Sequence, residues 1–145
     1  MIFPLVSRHI DRVFIHCSAT DNPNHDDVNV IYDWHVNGNG WSDVGYHFYI
    51  KKDGTIQNGR PIDKTPAAQA PYNKATFAIC LGGLNDFTDA QFASLRELCY
   101  AIDATYKVTF HGHCEVSTKS CPVFSYRKVL NLDSKGRIIK YESPS

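Results

Sequence analysis

Phe77-Ala78-Ile79-Cys80-Leu81 is an unbroken apolar run, and its reading decides the fold class. A short run with no polar alternation reads as a strand covered on both faces, the kind found in sheets that carry helices on either side. Downstream, Thr88 and Gln91 form a capping-box pair. Phe92, Leu95, Leu98, Cys99 and Ile102 then share one face of the helix that this pair opens. Val108-Thr109-Phe110 is a last short strand, leading into His111-Gly112-His113, and Pro122 or Ser125 starts a short helix through Leu130. Upstream, Arg12-Val13-Phe14-Ile15-His16-Cys17 is a buried strand ending near His16. Asp26 or Asp27 caps a helix with Val28, Ile31, Trp34 and His35 at helical spacing, ended by Gly38 and Gly40. Gly45 to Lys51 is a second strand, which Asp53-Gly54 turns back into Thr55-Ile56-Gln57. Arg60 to Ala75 carries Pro61, Pro66 and Pro71 and is mostly loop. Strands interleaved with helices, plus one hairpin, predict an α/β fold: a single domain with a mixed central β-sheet flanked by helices.

The whole chain, 145 residues, is the size of one ordinary domain. Its core is expected over residues 10–131, with 132–145 as a C-terminal tail. Fifteen basic residues against fifteen acidic ones leave a formal net charge of zero. That balance argues against a nucleic-acid binder held by bulk electrostatics and against a polybasic membrane anchor. No apolar run approaches the roughly 18 residues needed to span a bilayer. The N-terminus, Met1 to Arg8, lacks the basic lead and long apolar stretch of a signal peptide, which predicts a protein made in the cytoplasm. Five cysteines, an odd number without even spacing, fit a reduced protein better than a disulfide framework.

His16, His113 and Cys121 are the residue types that suit zinc, and three protein ligands plus water is its catalytic arrangement. The spacing alone equally admits separate roles, since strand-end histidines are often simply hydrogen-bonded and cysteines are often small buried hydrophobes. Cys17, Cys80 and Cys99 read as packing, with Cys17 on the strand face opposite His16. Cys114, beside His113, is a competitor for metal. Alternation places Tyr46 and Phe48 on one strand face and His47 on the other. Tyr46 can donate to a developing oxyanion, or simply be an interface aromatic; Lys119 can stabilise negative charge, or simply be solvated. Glu115 reads as an exposed loop carboxylate or a partner of the site.

Several blocks together carry a resemblance. Phe14-Ile15-His16-Cys17-Ser18-Ala19-Thr20, Gly45-Tyr46-His47-Phe48 and His113-Cys114-Glu115-Val116-Ser117-Thr118-Lys119-Ser120-Cys121-Pro122 resemble segments of the zinc-dependent N-acetylmuramoyl-L-alanine amidases. The likeness is to their phage lysozyme type, a branch related to the peptidoglycan recognition proteins. Lys51-Lys52-Asp53-Gly54-Thr55, Tyr72-Asn73 and Ile79-Cys80-Leu81-Gly82-Gly83 fit in order, so the blocks span residues 12–131. The resemblance implies that His16, His113 and Cys121 hold Zn2+, with Tyr46 and Lys119 as catalytic helpers beside it. It implies cleavage of the amide between N-acetylmuramic acid and L-alanine in peptidoglycan or muropeptides, as in a phage or prophage endolysin. A monomer is expected, with no separate cell-wall-binding domain, so that substrate recognition falls to Gln69, Asn73 and Tyr46.

Two positions depart from the resembled pattern. Gln69 stands where related sequences tend to have histidine, and it can hydrogen-bond substrate but cannot serve as acid or base. Ala78 stands where glycine is usual and is expected to narrow a pocket wall. The competing readings are a non-catalytic peptidoglycan-binding or regulatory protein of the same fold, a cytoplasmic muropeptide-recycling amidase, a thiol hydrolase using Cys121, and a structural zinc site of His111, His113, Cys114 and Cys121.

Overall fold

The computed structural model describes residues 2–139. Its centre is a five-stranded sheet in the order β3-β2-β4-β1-β5, formed by β1 (Arg12–Cys17), β2 (Phe48–Ile50), β3 (Ile56–Asn58), β4 (Thr76–Leu81) and β5 (Thr109–Gly112). β1 runs parallel to both β4 and β5, and β2 runs parallel to β4. β3 is antiparallel to β2, which makes the sheet mixed as expected. The β2–β3 hairpin turns at Gly54, whose φ of +89° favours glycine. All of β4 is buried, as its unbroken apolar run requires.

Alternation along the central strands sorts the core into two layers. Val13, Ile15, Phe77, Ile79 and Leu81 face a large cluster completed by Leu95, Leu98, Cys99 and Ile102 of α2 (Asp89–Tyr106) and Leu130 of α3 (Tyr126–Leu130). Each such fully buried side chain contributes about 1.5–3 kcal/mol. The Thr88/Gln91 capping box starts α2, and Gln91 also reaches inward to the Ile50 and Gly82 carbonyls. On the other face a smaller cluster joins Tyr49 and Cys80 to Ile31 of α1 (Val28–Asp33) and Val44. Asp27 caps α1 by accepting from Asn29 N, and the helix continues as a wider π turn over Trp34–Gly38.

The structure corrects two expectations about extent. The core reaches beyond 10–131 in both directions: Phe3 joins the large cluster, and so does Ile138, which lies in the segment expected to be a tail. Arg137 pairs with Asp103 of α2, and Leu132 bridges Ile138, so 132–139 is packed; 140–145 lie outside the described residues. The second strand is shorter than Gly45–Lys51, and its alternation does not extend back from Phe48. Tyr46 therefore packs on the small cluster, while Phe48 belongs to the large one. Tyr46 and Phe48 lie on opposite faces rather than together. Ala78 is no pocket wall either: it sits within β4, fully buried and paired with Phe14. No helix among the described residues is long and apolar enough to cross a membrane.

Candidate metal centre and cleft

The parallel strands β1, β4 and β5 point their C-terminal ends the same way, and in open α/β sheets reactive groups gather there. His16 is paired in register with Cys80 near the end of β1, on the small-cluster face of the sheet. His113 follows β5 directly, in a single 3-10 turn over His113–Glu115. The loop that returns from it is closed by Cys114 N donating to the Cys121 carbonyl at 2.7 Å, which carries Cys121 back beside His113. Among the described residues, His16, His113 and Cys121 converge, with their ligand atoms all within 4.8 Å of one another. Tetrahedral zinc with ordinary Zn–N and Zn–S bonds needs ligand separations of roughly 3.4–3.6 Å. The donor set and its convergence therefore fit zinc after small side-chain adjustments.

Each ligand is held from outside. His16 is 1% exposed, and its Nε2 meets Gln69 Oε1 at 2.9 Å. The backbone N–H of Cys17 points at Cys121 Sγ from 3.0 Å, a contact that favours a thiolate there. The turn carrying His113 is tied by Glu115, whose carboxylate accepts from Gly112 N at 2.8 Å, pairs with His111 Nδ1 at 3.0 Å and accepts from the Tyr126 hydroxyl. Gly112 is needed at this point, because a Cβ would sit 2.5 Å from the Tyr126 ring.

The electrostatics of the two histidines suit metal ligation. Burial, reinforced by His113, pushes His16 down to about 3, and burial with the charge of Lys119 also lowers His113. Both rings are thus neutral near pH 7, as ligands must be. The Cys121 thiol is pushed up, by the Cys17 thiol first and by burial second, with the Cys17 N–H opposing them. Burial raises Tyr46 well above the usual phenol range, so its hydroxyl stays a donor.

His113 and Cys121 line a cleft of about 420 Å³ together with Tyr46, Lys119, His35 and Trp41, while His16 itself is buried. The Tyr46 ring lies 5.1 Å from that of His16, and Lys119 is an exposed residue of the cleft lining. The three candidate ligands and both candidate helpers thus share one site.

Two expected substrate contacts do not. Gln69 is 1% exposed, its oxygen is taken by His16, and its amide NH2 bonds Tyr72 O and Thr76 Oγ1. Asn73 accepts from Ala68 N and Gln69 N, so its side-chain oxygen shapes the loop. Cys17 is buried as expected, but it does not simply face away: the strand ends there, and its thiol and amide both meet Cys121. Cys114 is exposed and outside the converging group, while His111 is engaged by Thr109 and Glu115.

His35 is a cleft residue that helical spacing assigned to packing. Its Nδ1 accepts from Gly45 N at 2.8 Å and its ring lies 4.5 Å from Trp41, so its remaining ring nitrogen carries the proton. That role arises from a contact ten residues away with a backbone amide, for which the sequence carries no local signal.

Residues 6–124 match the family described as N-acetylmuramoyl-L-alanine amidase. The endolysin of Escherichia phage T7 is 39% identical over 127 residues, covering 81% of this chain and 83% of that protein. Among solved structures, the N-acetylmuramoyl-L-alanine amidase LysC from Clostridium intestinale URNW superposes with a TM-score of 0.77 at 28% identity, covering 86% of this chain and 85% of its own. The peptidoglycan recognition protein PGRP-SA of Apis mellifera shares the fold, with a TM-score of 0.72 at 21% identity over 84% of this chain and 82% of its own. With the matched span covering the strands, the converging ligands and the cleft, the chain belongs to the N-acetylmuramoyl-L-alanine amidase family.

Proposed function

We propose that the protein is a zinc-dependent peptidoglycan amidase that hydrolyses the bond between the lactyl group of N-acetylmuramic acid and L-alanine, acting as a phage or prophage endolysin. The observation that carries this reading is the convergence of His16, His113 and Cys121 within 4.8 Å, two of which, His113 and Cys121, line a cleft together with Tyr46 and Lys119. His16, His113 and Cys121 would hold the zinc, which when bound activates water and polarises the scissile carbonyl.

The remaining work falls to the chain. Cys17 N–H steadies the Cys121 sulfur, and Glu115 fixes the turn that presents His113. Lys119, exposed in the cleft lining, supplies positive charge where the carbonyl oxygen becomes negative. Tyr46, kept protonated by burial, offers a hydroxyl to that oxygen or to the departing L-alanine nitrogen. His35 and Trp41 form the cleft wall beside Tyr46 and replace Gln69 and Asn73 as candidates for substrate contact. As an endolysin, such an enzyme would act on the cell wall.

Purified sacculi incubated with zinc-loaded protein should release stem peptides bearing a free L-alanine amino group, read by mass spectrometry. About one zinc per chain is expected, and Lys119→Ala should retain it while losing turnover. Cleaved sugar linkages, or no release by metal-replete protein, would overturn the amidase reading. Activity that survives chelators and dies on alkylation would point to the thiol chemistry instead.

A further inference from the structure

Gln69 is a buried polar residue with every hydrogen-bonding group accounted for, and that accounting determines the state of His16. The amide nitrogen of Gln69 lies 3.2 Å from the Tyr72 carbonyl and 2.8 Å from Thr76 Oγ1. A carbonyl can only accept, so the NH2 end must face Tyr72. The Thr76 hydroxyl spends its own proton on the Asn73 carbonyl at 2.8 Å, so it too accepts from Gln69. Reversing the amide would break both contacts and set oxygen against oxygen. The Gln69 backbone is fixed as well, its N–H donating to Asn73 Oδ1 at 2.9 Å. The amide oxygen is thereby aimed at His16 Nε2, 2.9 Å away, and an amide oxygen has no proton to give. Nε2 must therefore carry the ring proton, and Nδ1 keeps its lone pair.

We propose that Gln69 is a positioning residue for His16: it fixes the Nε2–H tautomer and ring orientation, leaving Nδ1 as the nitrogen that ligates the metal. The inference rests on the reading of His16 as a zinc ligand and deepens it. A ligating histidine whose second nitrogen donates to a fixed acceptor gains both orientation and basicity, and losing such a partner typically costs 10–100-fold in metal affinity. A neutral amide in this place orients the ring without adding a second negative charge beside the Cys121 sulfur.

The test combines 15N NMR of the histidine rings, on the zinc-loaded full chain and on the same chain stripped of metal, with zinc competition titration of wild type and Gln69→Leu. The expected results are a protonated Nε2 on His16 in both forms, metal at Nδ1, and zinc affinity at least tenfold weaker in Gln69→Leu, with the Nε2–H signature lost. A proton on Nδ1 of wild-type His16, or a loss smaller than tenfold in the variant, would overturn the assignment. Should Gln69→Leu fail to fold, the wild-type spectra still decide, because they need no variant. A wild-type chain that takes up no zinc refutes the metal reading, whereas tight zinc binding with an unchanged Gln69→Leu affinity refutes only the role of Gln69.

Discussion

Acidification should cost this fold stability through His47, and the amount follows from how the ring is held. His47 is 0% exposed. Its Nδ1 accepts from Ala78 N at 3.1 Å, so Nε2 carries the proton and donates to the Lys64 carbonyl at 2.7 Å. Protonating Nδ1 would set N–H against N–H, with Arg8 Nη2 already 3.2 Å from the ring and Arg60 adding positive charge. Burial above all, with those guanidiniums, pushes the ring down to about 4, against about 6.5 in an unfolded chain. The folded value is the lower one, so the unfolded chain binds the proton first. The contribution is complete above about pH 6.5, is lost as pH falls from there to about 4, and levels off below. At about pH 4.5 the loss is roughly 2.5 kcal/mol. Urea melts at pH 7 and about pH 4.5, on wild type and His47→Gln, should show a wild-type loss larger by about that amount. His16, pushed down to about 3, titrates in both proteins and drops out of the difference. Equal losses in the two proteins, or an NMR titration of His47 near 6.5, would refute the reasoning.

Arg137→Ala strips the counter-charge from Asp103, which is 6% exposed, and should cost about 3 kcal/mol, the lower end for a broken buried pair because Arg137 itself is partly exposed. At about 2.1 cal/mol/K per residue this lowers Tm by roughly 10 °C; a shift under about 3 °C by calorimetry would show that residues 132–139 are not part of the fold's stability. Gly112→Ala drives a Cβ to 2.5 Å from the Tyr126 ring and 3.0 Å from Pro122, so about 1–3 kcal/mol of stability should go, together with zinc affinity, since His113 follows directly. An unchanged melt would mean that Tyr126 yields freely. Cys121→Ser should lower zinc content after dialysis and abolish turnover, and zinc retained at one per chain would remove Cys121 from the ligand set.

Much of the fold was legible because local chemistry and tertiary structure agree here. The apolar run at Phe77–Leu81 is β4, Thr88 and Gln91 do form the capping box, and Asp53-Gly54 does turn the hairpin. Residue chemistry also marked the three residues that converge as types suited to zinc, and the resemblance to the amidases implied them as the ligand set. What it concealed depends on contacts without periodicity. Tyr46 leaves the alternation of its neighbours just ahead of the regular strand, which runs from Phe48 to Ile50. Gln69 looked available to substrate because a loop glutamine carries no mark of burial until Tyr72, Thr76 and His16 are placed around it. Ile138 and Arg137 follow the last helix with no repeating pattern, and only Asp103 on α2 explains them.

The supports of the three ligands also differ in kind, and this bears on how the site is assembled. His16 sits at the end of a fully buried strand, and its partner Gln69 is a side chain on the 60–75 loop. Cys121 arrives on a loop but is met by a backbone N–H of that same strand, so its contact is set by β1 itself. His113 depends on a carboxylate, Glu115, in its own turn. The β1 end thus supplies one ligand and the anchor of a second, while the loops supply what must be brought to it. A rigid strand end with adjustable loops around it can close ligand atoms now within 4.8 Å to the spacing a small cation needs, without moving the sheet. The sheet provides the fixed reference, and on the cleft side Lys119 is exposed and Tyr46 half-buried, so both lie where substrate would meet them.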